Sequence, residues 1–379
     1  MTYEFLQHYW FFLIALLGGL LVFMMFVQGA NAAIFALGKT EAQRKLMMNS
    51  TGRKWELTFT TLVLFGGAFF ASFPLFYSTS FGGAYWVWIL LLFTFVFQAV
   101  SYEFQNKKGN LLGSKTFRTF LMLNGILAPV IVGAAVGTFF TGSDFTVNKA
   151  VMLGEGSGAI SAWGSGWHGL EALTQPLCLF LGVMIFALDA VLGGLYMLGN
   201  IREADLEKSI RKYIRIFSLV FLITFVGFAA ILLTKKGFAV APDGTVSMES
   251  FKYLHNLLQM PAVLIMLLVG AVLVLVGFYF GGFTKSDKGI WFSGVGTVLA
   301  VISVFLLAGY NGTAYYPSYA DLQSSLSIAN SSSSLFTLKM MFYVSLVIPF
   351  VLAYIIYVWY VMDKKPLTDE EMNRTPEKY

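Results

Sequence analysis

Long apolar runs separated by short polar segments dominate this chain. Nine runs reach membrane length, at 9–33, 57–78, 82–102, 117–140, 176–198, 213–233, 259–281, 288–309 and 335–362. A helix needs about 20 residues to cross the hydrocarbon core. None of the runs alternates with a period of two, so they predict helices rather than strands. Lipid offers the backbone no hydrogen bonds, and a helix satisfies its own. The pattern predicts an all-α integral membrane protein with nine transmembrane helices. It forms one polytopic domain over 1–362, followed by a charged, solvated tail at 363–379.

The polar segments are not equivalent. Lys39, Arg44, Lys45, Arg53 and Lys54 follow the first span, and Lys107, Lys108, Lys115 and Arg118 follow the third. Arg202, Lys208, Arg211, Lys212 and Arg215 follow the fifth, and Lys285 and Lys288 the seventh. Lys364, Lys365, Arg374 and Lys378 lie in the tail. These segments hold most of the 25 basic residues, whereas the opposite side has Lys149, Lys235, Lys236, Lys252 and, near a helix end, Lys339. The positive-inside rule then puts the N-terminus outside and the C-terminus in the cytoplasm. Alternation over nine spans supports the count. A cleaved signal peptide is not expected, since the first run is long and preceded by Glu4 and His8 rather than a basic segment.

Composition agrees. Of the 379 residues, 57% are apolar and 12% charged, about half the charge of a soluble domain. An ordinary cytosolic enzyme is excluded. One cysteine, Cys178, permits no internal disulfide. The basic residues are spent on orientation, so the net charge of +5 gives no case for nucleic acid. No phosphate-binding loop, dinucleotide fingerprint or nucleophile motif is present. His8, His168 and His255 lie at or beyond the outer ends of spans, not where a membrane-buried haem takes an axial ligand. A metal site within this chain is not expected.

Polar groups at membrane depth are costly and mark function by default. Gln28 and Asn31 fall near the inner end of the first span, Trp55 and Glu56 open the second, and Gln98 and Glu103 close the third. Together they form either an inward-opening cluster with two carboxylates, suited to proton entry, or helix-end ion pairs of Glu56 with Lys54 and Glu103 with Lys107. Asp189 stands apart near the middle of the fifth span, where a central Asp costs about 2.5–3.5 kcal/mol. It is either a neutral hydrogen-bonded group or a proton carrier. Gly133 and Gly137 form a G-x-x-x-G, and Gly66, Gly67 and Ala68 are read as a second close-packing stripe. Trp10, Trp86, Trp88 and Trp359 read as an interfacial belt. Trp55 is either part of that belt or a face for a quinone ring.

Several stretches resemble subunit II of cytochrome bd-type quinol oxidases. They are Met47–Met48–Asn49–Ser50, Trp55–Glu56, the run from Gly66 to Pro74, and the Gln98–Ala99–Val100–Ser101–Tyr102–Glu103–Phe104 end of the third span. The run from Ser325 to Leu338 and Val347–Ile348–Pro349–Phe350 also match. The resemblance implies two four-helix bundles plus one peripheral helix, paired with a larger subunit I. It implies that subunit I carries two b-type haems, one d-type haem and the quinol-oxidation loop, while this chain binds none. It further implies a place in the bacterial cytoplasmic membrane, with a small single-helix subunit, lipid and a structural quinone near Trp55 as further partners.

In that family an acidic path in subunit II is thought to pass cytoplasmic protons toward the oxygen-reducing haem. The resemblance carries this role onto Glu56 and Glu103. The chain departs from relatives at Gln28–Gly29–Ala30–Asn31, where some have D-G-x-D, and at Gln98, where some have Arg. Asp189 is then a local replacement for a missing acid. The alternative function is a secondary transporter or proton channel using Asp189 as a midplane carboxylate. Against it, no matched pair of broken segments or internal repeat appears.

Overall fold

The computed structural model describes residues 1–107, 109–152, 154–155, 157–363 and 367. Helices dominate it. Among the described residues, 8 are long and apolar enough to cross a membrane, or 9 when a bent pair counts as one span. They are α1 (Tyr3–Met24) with its continuation α2 (Phe26–Ala32), then, after the short α3 (Ile34–Leu37) and the basic-side α4 (Glu41–Gly52), α5 (Trp55–Ser72). α6 (Tyr85–Phe104), α7 (Ser114–Thr141), α8 (Pro176–Asn200) and α9 (Ala204–Thr234) follow. After α10 (Lys252–Gln259) come α11 (Pro261–Phe283), α12 (Gly289–Gly309) and the pair α13 (Leu335–Ser345) and α14 (Ile348–Asp363).

Three expected spans are not continuous, each for a local reason. The first breaks at Met25; beside the break Thr58 Oγ1 donates to the Met24 carbonyl at 2.9 Å. The second stops at Ser72, because Pro74 cannot continue the ladder. The last bends by 41° between α13 and α14. Pro349 lacks the N–H that would reach the Ser345 carbonyl, and its ring would strike that oxygen. The tail also differs from expectation. Asp363 still belongs to α14, and Leu367 is buried with its N–H donating to the Asn200 carbonyl at 2.8 Å. Residues 364–366 and 368–379 lie outside the described residues.

α8, α9, α11 and α12 form one bundle, with α11 lying along α12. α1 and α2 pack with α5 and α7, and α6 packs on α7. Glycines set the closest approaches. A methyl on Gly133 would lie 2.6 Å from Gly182 Cα, and one on Gly137 2.7 Å from Cys178 Cα, so the G-x-x-x-G seats α7 on α8. The stripe read at Gly66 and Gly67 does not do this. Gly67 is exposed with no atom within 4 Å of its missing methyl, and Gly66 meets only Phe81. Trp10 and Trp359 also leave the belt. Both are buried, and Trp10 Nε1 donates to the Leu338 carbonyl at 3.2 Å.

Ion pairs gather the basic loops on one face. Arg118 holds Glu41 of α4 at 2.7 Å, Lys54 holds Asp363 at 2.9 Å and Arg202 holds Asp287 at 2.7 Å. Thr40 and Gln43 cap α4 reciprocally. The opposite face carries three hairpins: β1 (Phe145–Val147) with β2 (Ser161–Trp163), β3 (Lys236–Val240) with β4 (Val246–Ser250), and β5 (Ala314–Tyr316) with β6 (Leu326–Ser327). The Pro242–Asp243–Gly244 turn joins β3 to β4, with Asp243 Oδ1 accepting from Thr245 N at 2.9 Å and Gly244 at φ 84. Beneath the hairpins, Tyr315 packs 5.1 Å from Phe11 and 5.5 Å from Phe76, closing the bundle with aromatic rings.

Lys235 sits just beyond α9 on this face, its ammonium donating to the Phe140 carbonyl. Burial lowers its pKa from 10.5 to about 8. Between those values the unfolded chain binds more proton than the folded one, so stability rises with pH across the window and is lost as pH falls toward 8. Thermal melts of the native protein against Lys235→Met, from pH 8 to 10.5, check this. The native protein should gain stability relative to the variant as pH rises. Parallel curves would remove the effect from Lys235.

Candidate functional site

Where α2 crosses α6, α7 and α8, polar side chains meet in the core. Gln28 Nε2 donates to Gln98 Oε1 at 3.0 Å and to Asn124 Oδ1 at 3.5 Å. Asn124 in turn donates to the Thr94 carbonyl at 3.1 Å. About one helical turn nearer the basic face, Asn31 Oδ1 accepts from Tyr102 at 2.7 Å and from Thr51 at 3.4 Å. Tyr102 stacks on Trp55, with centroids 5.9 Å apart and planes at 11°. Gln28, Asn31, Gln98, Asn124 and Asp189 are all 0% exposed.

Small residues bring this layer together. Gly125 of α7 and Gly193 of α8 each lie so close to the α2 backbone that no methyl fits. Gly29 faces the Asp189 carbonyl in the same way. The fifth span therefore places Asp189 at the level of Gly29, next in sequence to Gln28. Asp189 lies near the middle of α8, and the close α2–α8 packing sets its backbone against Gly29.

The layer is under-satisfied. Gln28 Oε1, Gln98 Nε2, Asn31 Nδ2 and both Asp189 carboxyl oxygens are buried without a hydrogen-bond partner among the described residues. Buried polar groups are ordinarily paired, and such a site suits ordered water. Chemically it offers amide donors and acceptors in a narrow space, with the Asp189 backbone packed against α2 beside it.

The two glutamates are not part of it. Glu56 and Glu103 are exposed on the outward faces of α5 and α6. Lys54 pairs with Asp363 rather than with Glu56. Trp55 is buried, and its Nε1 has no partner among the described residues. The sequence reading missed Asn124, Thr51 and Tyr102. Asn124 was visible as an amide inside the fourth span, but nothing in its spacing names Gln28. The three histidine rings are engaged locally: His8 with the Glu4 carbonyl at 2.9 Å, His168 with the Gly83 carbonyl at 3.0 Å, and His255 with Glu249 at 2.8 Å. Among the described residues no three His, Cys, Asp or Glu side chains converge to hold a metal ion.

These features define a polytopic helical membrane protein with a fully buried layer of amide side chains. The family described as "Cytochrome bd terminal oxidase subunit II" matches residues 6–362, and the chain belongs to it. It is thus a multi-pass membrane subunit of an oxidoreductase complex. It is 27% identical over 369 residues to a probable cytochrome oxidase subunit 2 of Haemophilus influenzae, covering 94% of this chain and 93% of that one. To the cytochrome bd-I ubiquinol oxidase subunit 2 of Escherichia coli K12 it is 24% identical, covering 98% of each. The Bacillus subtilis cytochrome bd ubiquinol oxidase subunit 2 is also 24% identical, with 97% of this chain and 98% of that one covered. The bd oxidase structure from Geobacillus thermodenitrificans shares the fold, with TM-score 0.63 and 11% identity over 94% of this chain and 98% of that chain.

Proposed function

We propose that this chain is the haem-free partner of a haem-bearing subunit I, and that it conducts protons from its basic, cytoplasmic face toward the site of oxygen reduction. The observation that carries the proton reading is the buried layer of Gln28, Gln98 and Asn31, with a buried Asp189 beside α2 whose carboxyl has no partner among the described residues. Two b-type haems and one d-type haem belong to subunit I in this reading. They supply electron transfer and oxygen reduction when bound there. The residues of this chain do not fit an axial ligand set, because its histidines lie at helix ends and loops with their rings already engaged.

The work left to this chain is orientation and proton movement. Asn31, Tyr102 and Thr51 form the entry, held by mutual hydrogen bonds. Gln28 and Gln98 hold the next level. Asp189 takes a proton at one carboxyl oxygen and releases one from the other. No net charge then needs to remain in the core, where an isolated ion is costly. Glu56 and Glu103 fit a different place. Carboxylates on outward helix faces are poorly suited to lipid, so the α5–α6 face is proposed as the docking surface for subunit I. There the two glutamates continue the route across the interface. A structural quinone near Trp55, a small single-helix subunit and bound lipid complete the assembly. Family membership gives no support to the transporter alternative.

The test of the assembly is direct. The tagged chain, extracted gently from its native membrane, should bring down a larger subunit and give b- and d-type haem bands in a reduced-minus-oxidised spectrum. An intact, colourless chain without a partner, from cells grown at low oxygen, overturns the reading.

A further inference from the structure

On the basic face a groove of about 760 Å³ opens between α1, the end of α8, the start of α12 and α14. Its long wall is apolar, with Leu16 and Leu20 on one side and Ile355 on the other. Its basic-side end is polar, with Asn200, Asp287, Lys288 and Asp363. Along α14 the lining runs from Leu352 to Asp363, a rise of about 16 Å. Half of a hydrocarbon core is about 15 Å, so the groove matches the depth of one leaflet. Trp359 stacks on Phe23 at 5.8 Å and lies 6.0 Å from Trp291. The exposed indole of Trp291, at this polar–apolar junction, suits the headgroup level.

The charges at the polar end do not cancel. Asp287 is neutralised by Arg202 at 2.7 Å and Asp363 by Lys54 at 2.9 Å. Lys288 is exposed and has no ion-pair partner among the described residues. The floor carries a second signal. Asn200 is 3% exposed, and its Nδ2 donates to Tyr196 at 3.4 Å and to Asp363 at 3.2 Å. Its Oδ1 has no hydrogen-bond partner among the described residues. Among the described residues this end of the groove therefore offers one cation without an ion-pair partner and one buried acceptor.

We infer that the groove binds a single anionic phospholipid with a hydroxylated head, of the phosphatidylglycerol type. Its phosphate sits at Lys288, a headgroup hydroxyl donates to Asn200 Oδ1, and one acyl chain lies along Leu16, Leu20 and Ile355. A choline head has no donor for Asn200; an ethanolamine phosphate can reach Lys288, but its own ammonium adds a positive charge and leaves the net charge of this end uncancelled. A quinone head offers carbonyls, which accept and cannot satisfy another acceptor.

Native mass spectrometry of the assembled complex, reconstituted with mixed phosphatidylglycerol, phosphatidylethanolamine and phosphatidylcholine and then washed in detergent, tests this. One phosphatidylglycerol should outlast the other lipids. Lys288→Glu and Lys288→Gln should weaken its retention about tenfold, the loss expected for one charge-assisted contact. Lys288 is exposed, so both variants leave folding intact. Lys285→Glu makes the same charge change outside the groove and should leave retention as it was. Equal retention of all three heads, unchanged retention in Lys288→Glu, or a quinone recovered in place of lipid would each overturn the inference.

Discussion

Asp189→Asn is expected to lower oxygen consumption of the assembled oxidase by about tenfold or more, the scale on which a positioned proton-transfer group matters. The substitution keeps shape and volume and removes only the titration. Asp189 is fully buried, and neither carboxyl oxygen has a partner among the described residues. An Asp at a helix centre costs about 2.5–3.5 kcal/mol in the membrane. Asn lowers that cost. The variant should therefore assemble at least as well as the native chain. Turnover and proton uptake are measured on the purified complex, together with its melting temperature and haem content. Lost turnover with retained stability and haem supports a proton-handling role. Unchanged turnover with higher stability sinks it and leaves Asp189 as a tolerated polar residue. Glu56→Gln and Glu103→Gln belong beside it, because those side chains lie on the outward face. If they abolish turnover while Asp189→Asn does not, the route runs along the partner interface instead.

The sequence showed the spans, and the reason is physical. Period and length of apolar runs are local, and lipid penalises any alternative backbone. The ends of α8 and α12 fall within two residues of the expected 176–198 and 288–309. Breaks were harder to read. Pro349 lies inside the expected last span, yet whether a proline bends a helix depends on what packs beside it. The site was legible only in part. Gln28, Asn31 and Gln98 were singled out because amides in apolar runs need partners. That their partners are Asn124, Thr51 and Tyr102 depends on helix rotation, which no single-chain pattern carries. Rotation also explains the glutamates. Glu103 is adjacent to Tyr102, and a helix turns about 100° per residue, so Tyr102 faces the core while Glu103 faces out. That the Asp189 backbone meets Gly29 likewise depends on how α2 and α8 pack, which no single-chain pattern carries.

Gly29→Ala is expected to destabilise the chain by about 3 kcal/mol or more, the upper range for overpacking a well-packed core. The added methyl would meet the carbonyl oxygen and carbon of Asp189, which are backbone atoms with nowhere to turn. α2 is held from both sides, since Gly125 of α7 and Gly193 of α8 also touch its backbone without room for a methyl. Relief therefore needs α2 and α8 to part, which would open the Gln28–Gln98 contact. The yield and melting temperature of the haem-loaded complex measure the cost. Gly67→Ala is the matched control, because Gly67 has no atom within 4 Å of its missing methyl and should change stability little. Pairing Gly29→Ala with Asp189→Ala separates packing from chemistry. The clash is with the backbone of residue 189, so the double variant should stay as unstable as Gly29→Ala alone. Native stability in Gly29→Ala would mean that α2 and α8 are not held at this separation, and the contact of the Asp189 backbone with Gly29 would fall with it.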